Sequence, residues 1–271
     1  SPGDPVFLND GDFLWRSPRT GYSHIYRYSA DGQLKSAVTQ GLWEVRSLLG
    51  VSKDKRYCFF TAAKELATEV HAFRQDLDTG ELVDLTPEAG EHSVDFSKDM
   101  SFFIDSWSDV NATPRFLLRN SEGTVLSEFN GASDDRIQYF GGTSAEFLEV
   151  PSGNEQPMDA MLVKPPNFDP KKKYPVLVHV YAGPQSPRVR NRFGGAQSLW
   201  HQMLAQEGYV IWICDNQSAS YRSVKRAWPI HRNFAVNELA DIERGVAWLK
   251  GHAWVDVDRI GIWGWSYGGY M

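Results

Sequence analysis

The first 135 or so residues repeat themselves, and the repetition leaves few folds open. Asp12-Phe13-Leu14-Trp15-Arg16-Ser17 is followed by His24-Ile25-Tyr26-Arg27-Tyr28 and the turn Ala30-Asp31-Gly32. Tyr57-Cys58-Phe59-Phe60-Thr61 is followed by Val70-His71-Ala72-Phe73-Arg74 and Asp78-Thr79-Gly80. A third pass runs Ser101-Phe102-Phe103-Ile104-Asp105-Ser106, Arg115-Phe116-Leu117-Leu118, then Ser121-Glu122-Gly123. Between the passes lie two related stretches, 38–45 and 85–94, each followed by a Ser-Lys-Asp turn, at Ser52 and at Ser97. No run of helical period interrupts them. Short strands separated by Gly-containing turns, returning every 45 residues or roughly so, have the size of a four-stranded propeller blade. A closed ring needs about four to eight blades. About three fit here, so the expectation is a partial β-propeller that does not close within this sequence; an ordinary antiparallel sandwich is the other arrangement of such strands.

Near Tyr139 the texture changes. A hairpin-like stretch, 146–150 then 158–163, leads to the almost continuously apolar Tyr174-Pro175-Val176-Leu177-Val178-His179-Val180-Tyr181, the composition of a strand covered on both faces. A helix is expected over about 198–207 with Gly208 as its stop, then a strand over 209–215. A second helix is expected over about 233–250, with Leu239, Ile242, Val246 and Leu249 on its apolar stripe. A strand then enters Arg259-Ile260-Gly261-Ile262-Trp263. Alternating strands and helices predict an α/β domain with a mainly parallel sheet and a site at the carboxyl ends of its strands. The expected domains are 1–138, the C-terminal part of a propeller, and 139–271, the first half of a hydrolase-type α/β domain.

The chemistry concentrates at the end of that last strand, in Gly264-Trp265-Ser266-Tyr267-Gly268-Gly269-Tyr270-Met271. A G-x-S-x-G pattern after an apolar strand is what a serine nucleophile needs at a strand-to-helix elbow, and the sharp turn admits only small residues at Gly264 and Gly268. Ser266 is therefore the candidate nucleophile. In such a fold one oxyanion donor is the backbone N–H after the nucleophile, here that of Tyr267. A second comes from an earlier strand end, where Tyr181-Ala182-Gly183-Pro184 places a hydroxyl at Tyr181. A serine hydroxyl needs a base, and all seven histidines, His24, His71, His92, His179, His201, His231 and His252, precede Ser266. The α/β-hydrolase order is Ser, then Asp or Glu, then His. His24 and His71, at matching blade positions, read as structural, and His179 as a core histidine.

Composition narrows the partners. The net charge is −6 with no basic stripe, which excludes nucleic acid as the expected partner, and Lys171-Lys172-Lys173 reads as a solvated loop. No apolar run has the length of a membrane span. Cys58 and Cys214 read as buried free thiols, no His or Cys grouping has metal spacing, and no phosphate loop occurs. No cofactor or metal is expected, and the compartment is not legible. The absent initiator Met and the ending in mid-motif suggest a piece of a longer protein.

Trp265-Ser266-Tyr267-Gly268-Gly269-Tyr270 together with Val180-Tyr181-Ala182-Gly183-Pro184 closely resembles the prolyl oligopeptidase family, and within it the dipeptidyl peptidase IV branch. Gly21-Tyr22-Ser23-His24-Ile25-Tyr26 and Gly41-Leu42-Trp43-Glu44-Val45 look like that branch's late blades. The resemblance implies a serine exopeptidase with a propeller capping an α/β-hydrolase domain, releasing N-terminal dipeptides with Pro or Ala second. It makes Ser266 the nucleophile, the Tyr181 hydroxyl and Tyr267 N–H the oxyanion hole, and Trp265 part of the site wall. It also implies a peptide substrate and a parent that can form a homodimer. The family's triad Asp and His lie beyond its elbow and have no counterpart here, nor does its amine-binding Glu pair, so these residues alone are expected to be inactive. Gln217-Ser218 stands where relatives carry Arg-Gly, and Glu238 and Asp241 stand where relatives carry acids, in a structural role. An acylaminoacyl-peptidase or oligopeptidase specificity, or a non-catalytic interaction module, would fit the same scaffold.

Overall fold

The computed structural model describes residues 3–129, 145–154 and 156–271. The expected boundary at 138/139 lies outside the described residues. The described chain forms two compact units, one of residues up to 129 with Tyr221–Lys225, the other of the rest.

The first unit is three four-stranded antiparallel sheets in chain order. They comprise β1 (Val6–Phe7), β2 (Phe13–Ser17), β3 (His24–Tyr28) and β4 (Leu34–Ala37); β5 (Glu44–Val51), β6 (Tyr57–Ala63), β7 (His71–Asp76) and β8 (Leu82–Asp84); and β9 (Glu91–Phe96), β10 (Phe102–Ser108), β11 (Arg115–Asn120) and β12 (Val125–Phe129). The repeat read from sequence is thus three blades, each a meander. The Ser-Lys-Asp turns explain the period locally. Asp54 accepts the N–H of Arg56 and Asp99 that of Ser101, both at 3.2 Å, and the residue after each aspartate is left-handed, Lys55 at φ 63° and Met100 at φ 59°. The first blade holds a third copy without the Ser-Lys signature: Asp10 accepts the Asp12 N–H at 3.0 Å and Gly11 takes φ 82°. An Asx side chain bonding two residues on is the common device.

Side-chain alternation explains why the blades stack. On β6, Cys58, Phe60 and Ala62 join a core with Leu14, Ile25, Val45 and Phe73. Phe59, pointing the other way, joins Ala72, Leu85 and Phe103. A strand buried on both faces therefore reads as a continuous apolar run. Burying a phenylalanine this way contributes about 1.5–3 kcal/mol. Burial also pushes the Cys58 thiol up to about 12, as expected of an inert free thiol.

The blade histidines are structural. His24 Nδ1 lies 3.0 Å from Thr39 Oγ1 and Nε2 3.0 Å from Gly41 O, while the Thr39 hydroxyl accepts the Ile25 N–H. Thr86 accepts the Ala72 N–H in the same way, and the Thr86 carbonyl faces His71 Nδ1. In the third blade, Asp105 holds both His92 Nδ1, at 2.9 Å, and Arg119 Nε, at 3.0 Å. The segment Tyr221–Lys225 completes this unit: Ser223 Oγ and the Lys225 N–H donate to Gly21 O, the Val224 N–H donates to buried Glu44 at 2.6 Å, and Arg46 lies 3.4 Å over the Tyr221 ring.

The second unit is a five-stranded sheet in the order β13 (Ala145–Val150), β14 (Met158–Val163), β16 (Val210–Cys214), β15 (Tyr174–Val180), β17 (Val255–Gly264), with helices α1 (Ala196–Gln206), α2 (Val236–Lys250) and α3 (Tyr267–Tyr270). It is mixed rather than mainly parallel. The β15–β16 and β15–β17 pairs are parallel, whereas β13–β14 and β14–β16 are antiparallel. The physical reason is connectivity: a parallel neighbour needs a crossover, supplied here by α1 and α2, whereas β13 and β14 are a hairpin. Val176, Val178 and Val180 of β15 pack with Val210, Trp212, Ile242 and Leu249 in the core.

Helix α2 departs from its expected form in two ways. It starts at Val236, because Ala235 is left-handed at φ 72° and cannot continue a right-handed helix upstream. Its buried stripe is Glu238, Asp241, Ile242, Gly245 and Leu249, while Leu239 is 43 % exposed. The stripe keeps helical spacing but carries two acids, so apolar periodicity placed it slightly off.

Candidate active site

Parallel pairing of β15 with β17 sets Val180 opposite Gly264. The next residues on each strand, Tyr181 and Trp265-Ser266-Tyr267, therefore emerge side by side at the carboxyl end of the sheet. Ser266 is exposed and adopts φ 54°, ψ −116°, a region costly for a residue with a Cβ. The turn is held by Gly268 N–H to Trp265 O at 2.9 Å and by Gly269 and Tyr270 N–H to Ser266 O at 3.0 and 3.2 Å.

Two close approaches make the elbow glycines obligatory. A Cβ on Gly264 would sit 2.3 Å from Gly268 O, and one on Gly268 would sit 2.1 Å from Val180 O and 3.0 Å from Tyr181 Cα. The same contacts show that the tyrosine loop touches the elbow. The Tyr267 N–H donates to no backbone acceptor among the described residues. The Tyr267 hydroxyl donates to Glu238 at 2.6 Å, and Glu238 is fully buried. Burial and this carboxylate push the Tyr267 phenol well up, so it stays protonated. Trp265 is 76 % exposed beside the serine.

The loop after β15 is bolted to the end of β16. Ala182 and Gln185 are left-handed, at φ 62° and 53°. The Gln185 N–H donates to Ser218 O at 2.8 Å, and buried Asp215 accepts the N–H groups of Arg188 and Val189 at 2.9 Å. Burial raises Asp215 to about 7 against those two donors. Gln217, at one of the positions where the resemblance leads to Arg-Gly, is tied down: its N–H and Nε2 donate to Asp241 at 2.9 and 3.0 Å, and its Oε1 accepts from Asn154 and Arg226. Asp241 also holds Arg244 at 3.0 Å. Glu238 and Asp241 thus fasten α2 to the elbow and to the β16 loop, contacts that apolar periodicity does not reveal.

None of the hydrogen bonds made by histidine among the described residues reaches Ser266. His179 points to the other face of β15, its ring 5.1 Å from that of His201 and 4.9 Å from that of Trp263. Burial holds His179 near 3 and His201 near 4, so both are neutral core residues. No group of three potential metal ligands occurs among the described residues, and no helix there is long and apolar enough to cross a membrane. Sequence reasoning missed Arg188, whose guanidinium carbon lies 4.0 Å from the Tyr181 ring centroid; no local pattern signals it.

Comparison with known proteins finds relatives of both units. Residues 2–114 match the dipeptidyl peptidase IV (DPP IV) N-terminal region and residues 196–271 match the prolyl oligopeptidase family. The chain is similar to dipeptidyl peptidase 4 of Trichophyton equinum, 30 % identical over 263 residues, covering 94 % of this chain and 34 % of that protein. It is 29 % identical to the Trichophyton rubrum dipeptidyl peptidase 4, with the same coverage. The crystal structure of Porphyromonas gingivalis dipeptidyl peptidase 4 superposes with a TM-score of 0.89 at 28 % identity, over 98 % of this chain and 38 % of that one. The chain spans about a third of the length of the curated relatives it matches. Its three propeller-type blades, matched by the DPP IV N-terminal region, and its α/β unit with a strained serine elbow, matched by the prolyl oligopeptidase family, make the chain similar to the dipeptidyl peptidase IV branch of that family.

Proposed function

We propose that the full-length protein is a serine exopeptidase that releases N-terminal dipeptides, with Pro or Ala at the second position, through an acyl-enzyme on Ser266. The observation that carries this reading is the Ser266 backbone, a non-glycine residue at φ 54°, ψ −116° between two glycines that have no room for a Cβ. Strain of this kind costs on the order of 1–3 kcal/mol and persists where the surroundings enforce it. Here it leaves Ser266 exposed to solvent beyond the strand end. The Tyr267 N–H and the Tyr181 hydroxyl are the oxyanion donors in this reading. A carbonyl attacked by Ser266 Oγ becomes a tetrahedral oxyanion, and two fixed donors stabilise that charge without reorganising. The leading edge of the site is Trp265, a broad apolar wall for the substrate. The names of the relatives support the dipeptidyl preference.

The proton taken from Ser266 needs a base outside the seven histidines of this sequence, none of which is bonded to it among the described residues. Residues 1–271 by themselves are therefore inactive in this reading, because loss of the base in a serine protease costs about a million-fold in kcat. The test uses the full-length protein and the 271-residue chain with Gly-Pro and Ala-Pro p-nitroanilides and a fluorophosphonate probe. The full-length protein should cleave both and lose cleavage in Ser266→Ala. The short chain should neither cleave the substrates nor react with the probe, and its labelling at the rate of an active hydrolase would overturn the assignment of the base.

A further inference from the structure

Tyr181 has a charged neighbour that no established role accounts for. Its ring is confined on one side by Gly183, where a Cβ would lie 2.6 Å from Tyr181 Cε1, and is covered by the Arg188 guanidinium, 4.0 Å from the ring centroid. The Arg188 backbone is not free to drift. Its N–H and that of Val189 are fixed on the Asp215 carboxylate at 2.9 Å. Within the guanidinium, Nε is buried and has no hydrogen-bond partner among the described residues. A cation is thereby parked on the π face of the tyrosine whose backbone lies against the elbow, the Tyr181 Cα being 3.0 Å from where a Cβ on Gly268 would sit.

We propose that Arg188 is a positioning residue for the oxyanion hole, holding the Tyr181 ring in place and strengthening its hydroxyl as a donor to the tetrahedral intermediate. The physics is differential. When the phenol donates to a full oxyanion, negative charge shifts into the ring, and a cation over the ring face stabilises that state more than the ground state. No bond is made or broken at Arg188, and no proton leaves Tyr181. The other charged or titratable groups facing the pair are Asp215, which holds the Arg188 backbone, and His179, both of which feel the Arg188 charge. Glu238 and Tyr267, across the elbow, are engaged with each other. The inference rests on Tyr181 being an oxyanion donor, so the test separates the two.

In the full-length protein, Tyr181→Phe, Arg188→Met, Arg188→Lys and the Tyr181→Phe/Arg188→Met double variant are compared for kcat and KM on Gly-Pro p-nitroanilide, for the alkaline limb of the kcat profile, and for Tm. Tyr181→Phe should lower kcat about 100- to 1,000-fold, the loss of one oxyanion donor. Arg188→Met should lower kcat about 2- to 30-fold at unchanged KM, the range of a cation–π contact, and move the alkaline limb. Arg188→Lys, which keeps the charge, should recover part of the loss. The double variant should be no slower than Tyr181→Phe alone, because Arg188 acts only through the phenol. Unchanged kcat in Arg188→Met, a rise in KM alone, or a further loss on the Tyr181→Phe background each overturns the proposal. Full activity of Tyr181→Phe overturns the oxyanion reading itself, and this inference with it. If Arg188→Met lowers Tm enough to unfold the protein, Arg188→Gln carries the same comparison.

Discussion

Replacing Gly268 by alanine isolates the elbow's geometry from its helix chemistry. The added Cβ would lie 2.1 Å from the Val180 carbonyl oxygen and 2.9 Å from its carbon, whereas ordinary contact begins near 3.4 Å. The obstruction is backbone of β15, not a side chain that can swing away. Accommodation means parting the elbow from β15 by about 1.3 Å, the gap between 2.1 and 3.4 Å, and the strand that moves carries Tyr181. Overpacking of this kind costs about 1–3 kcal/mol of stability, and a displacement on the order of 1 Å at a reacting centre costs about 100-fold in rate. Gly269 is the internal control. A Cβ there meets only Gly264 O, at 3.5 Å. Alanine is about 1 kcal/mol better than glycine inside a helix, so Gly269→Ala should be neutral or slightly stabilising. The assay is thermal unfolding together with kcat/KM of the full-length protein on Gly-Pro p-nitroanilide. Gly268→Ala should lower both, and Gly269→Ala neither. If the two variants behave alike, the close approach to Val180 does not govern this turn and the argument fails.

Two further outcomes test other parts of the molecule. Asp105→Ala should destabilise the blade unit by about 3–5 kcal/mol, because it takes from buried Arg119 Nε and His92 Nδ1 the carboxylate they share; urea unfolding measures it, and a loss under 1 kcal/mol would show that Glu88 and the Gly123 carbonyl suffice for Arg119. The second concerns acid. His179 and His201 fall from the ordinary 6.5 to about 3 and about 4 in the fold. Below 6.5 the unfolded chain therefore binds protons that the folded one refuses. Their contribution to stability is complete above pH 6.5 and drains away as pH falls toward 4, by about 2–3 kcal/mol each. Asp215, raised to about 7, works in the opposite direction over the same window. His201→Gln should accordingly lose less stability than the parent between pH 7 and pH 4.5 in denaturant titrations, and equal losses would contradict the burial of a neutral imidazole.

Much of this was legible in the chain. The blade period is a local property, written by turn residues that impose left-handed backbone and by strands of period two, and both are visible without tertiary contacts. The Asp10-Gly11 turn lacks the Ser-Lys signature yet keeps the same Asx bond, so that signature does not mark it. The serine elbow was equally plain, since only glycine tolerates the approach at Gly264 and Gly268. What the pattern misjudged was the face of α2. Periodicity counts apolar residues, and the buried positions Glu238 and Asp241 are acids whose partners, Tyr267 and Gln217, are 29 and 24 residues away. The mixed sheet escaped for a related reason: strand order is set by which edges pair, and β14 pairs with β16 rather than with its successor.

By itself, then, the sequence determined the blade repeat, the strand–helix alternation and the serine elbow, because each is enforced by backbone sterics within a few residues. The tertiary structure alone decided that β15 pairs with β17 in the register that sets Val180 level with Gly264, which brings Tyr181 to the elbow. It alone placed Arg188 over the Tyr181 ring and Glu238 under the Tyr267 hydroxyl. Those contacts join residues 7 to about 85 positions apart, and no local propensity encodes a distance across a sheet.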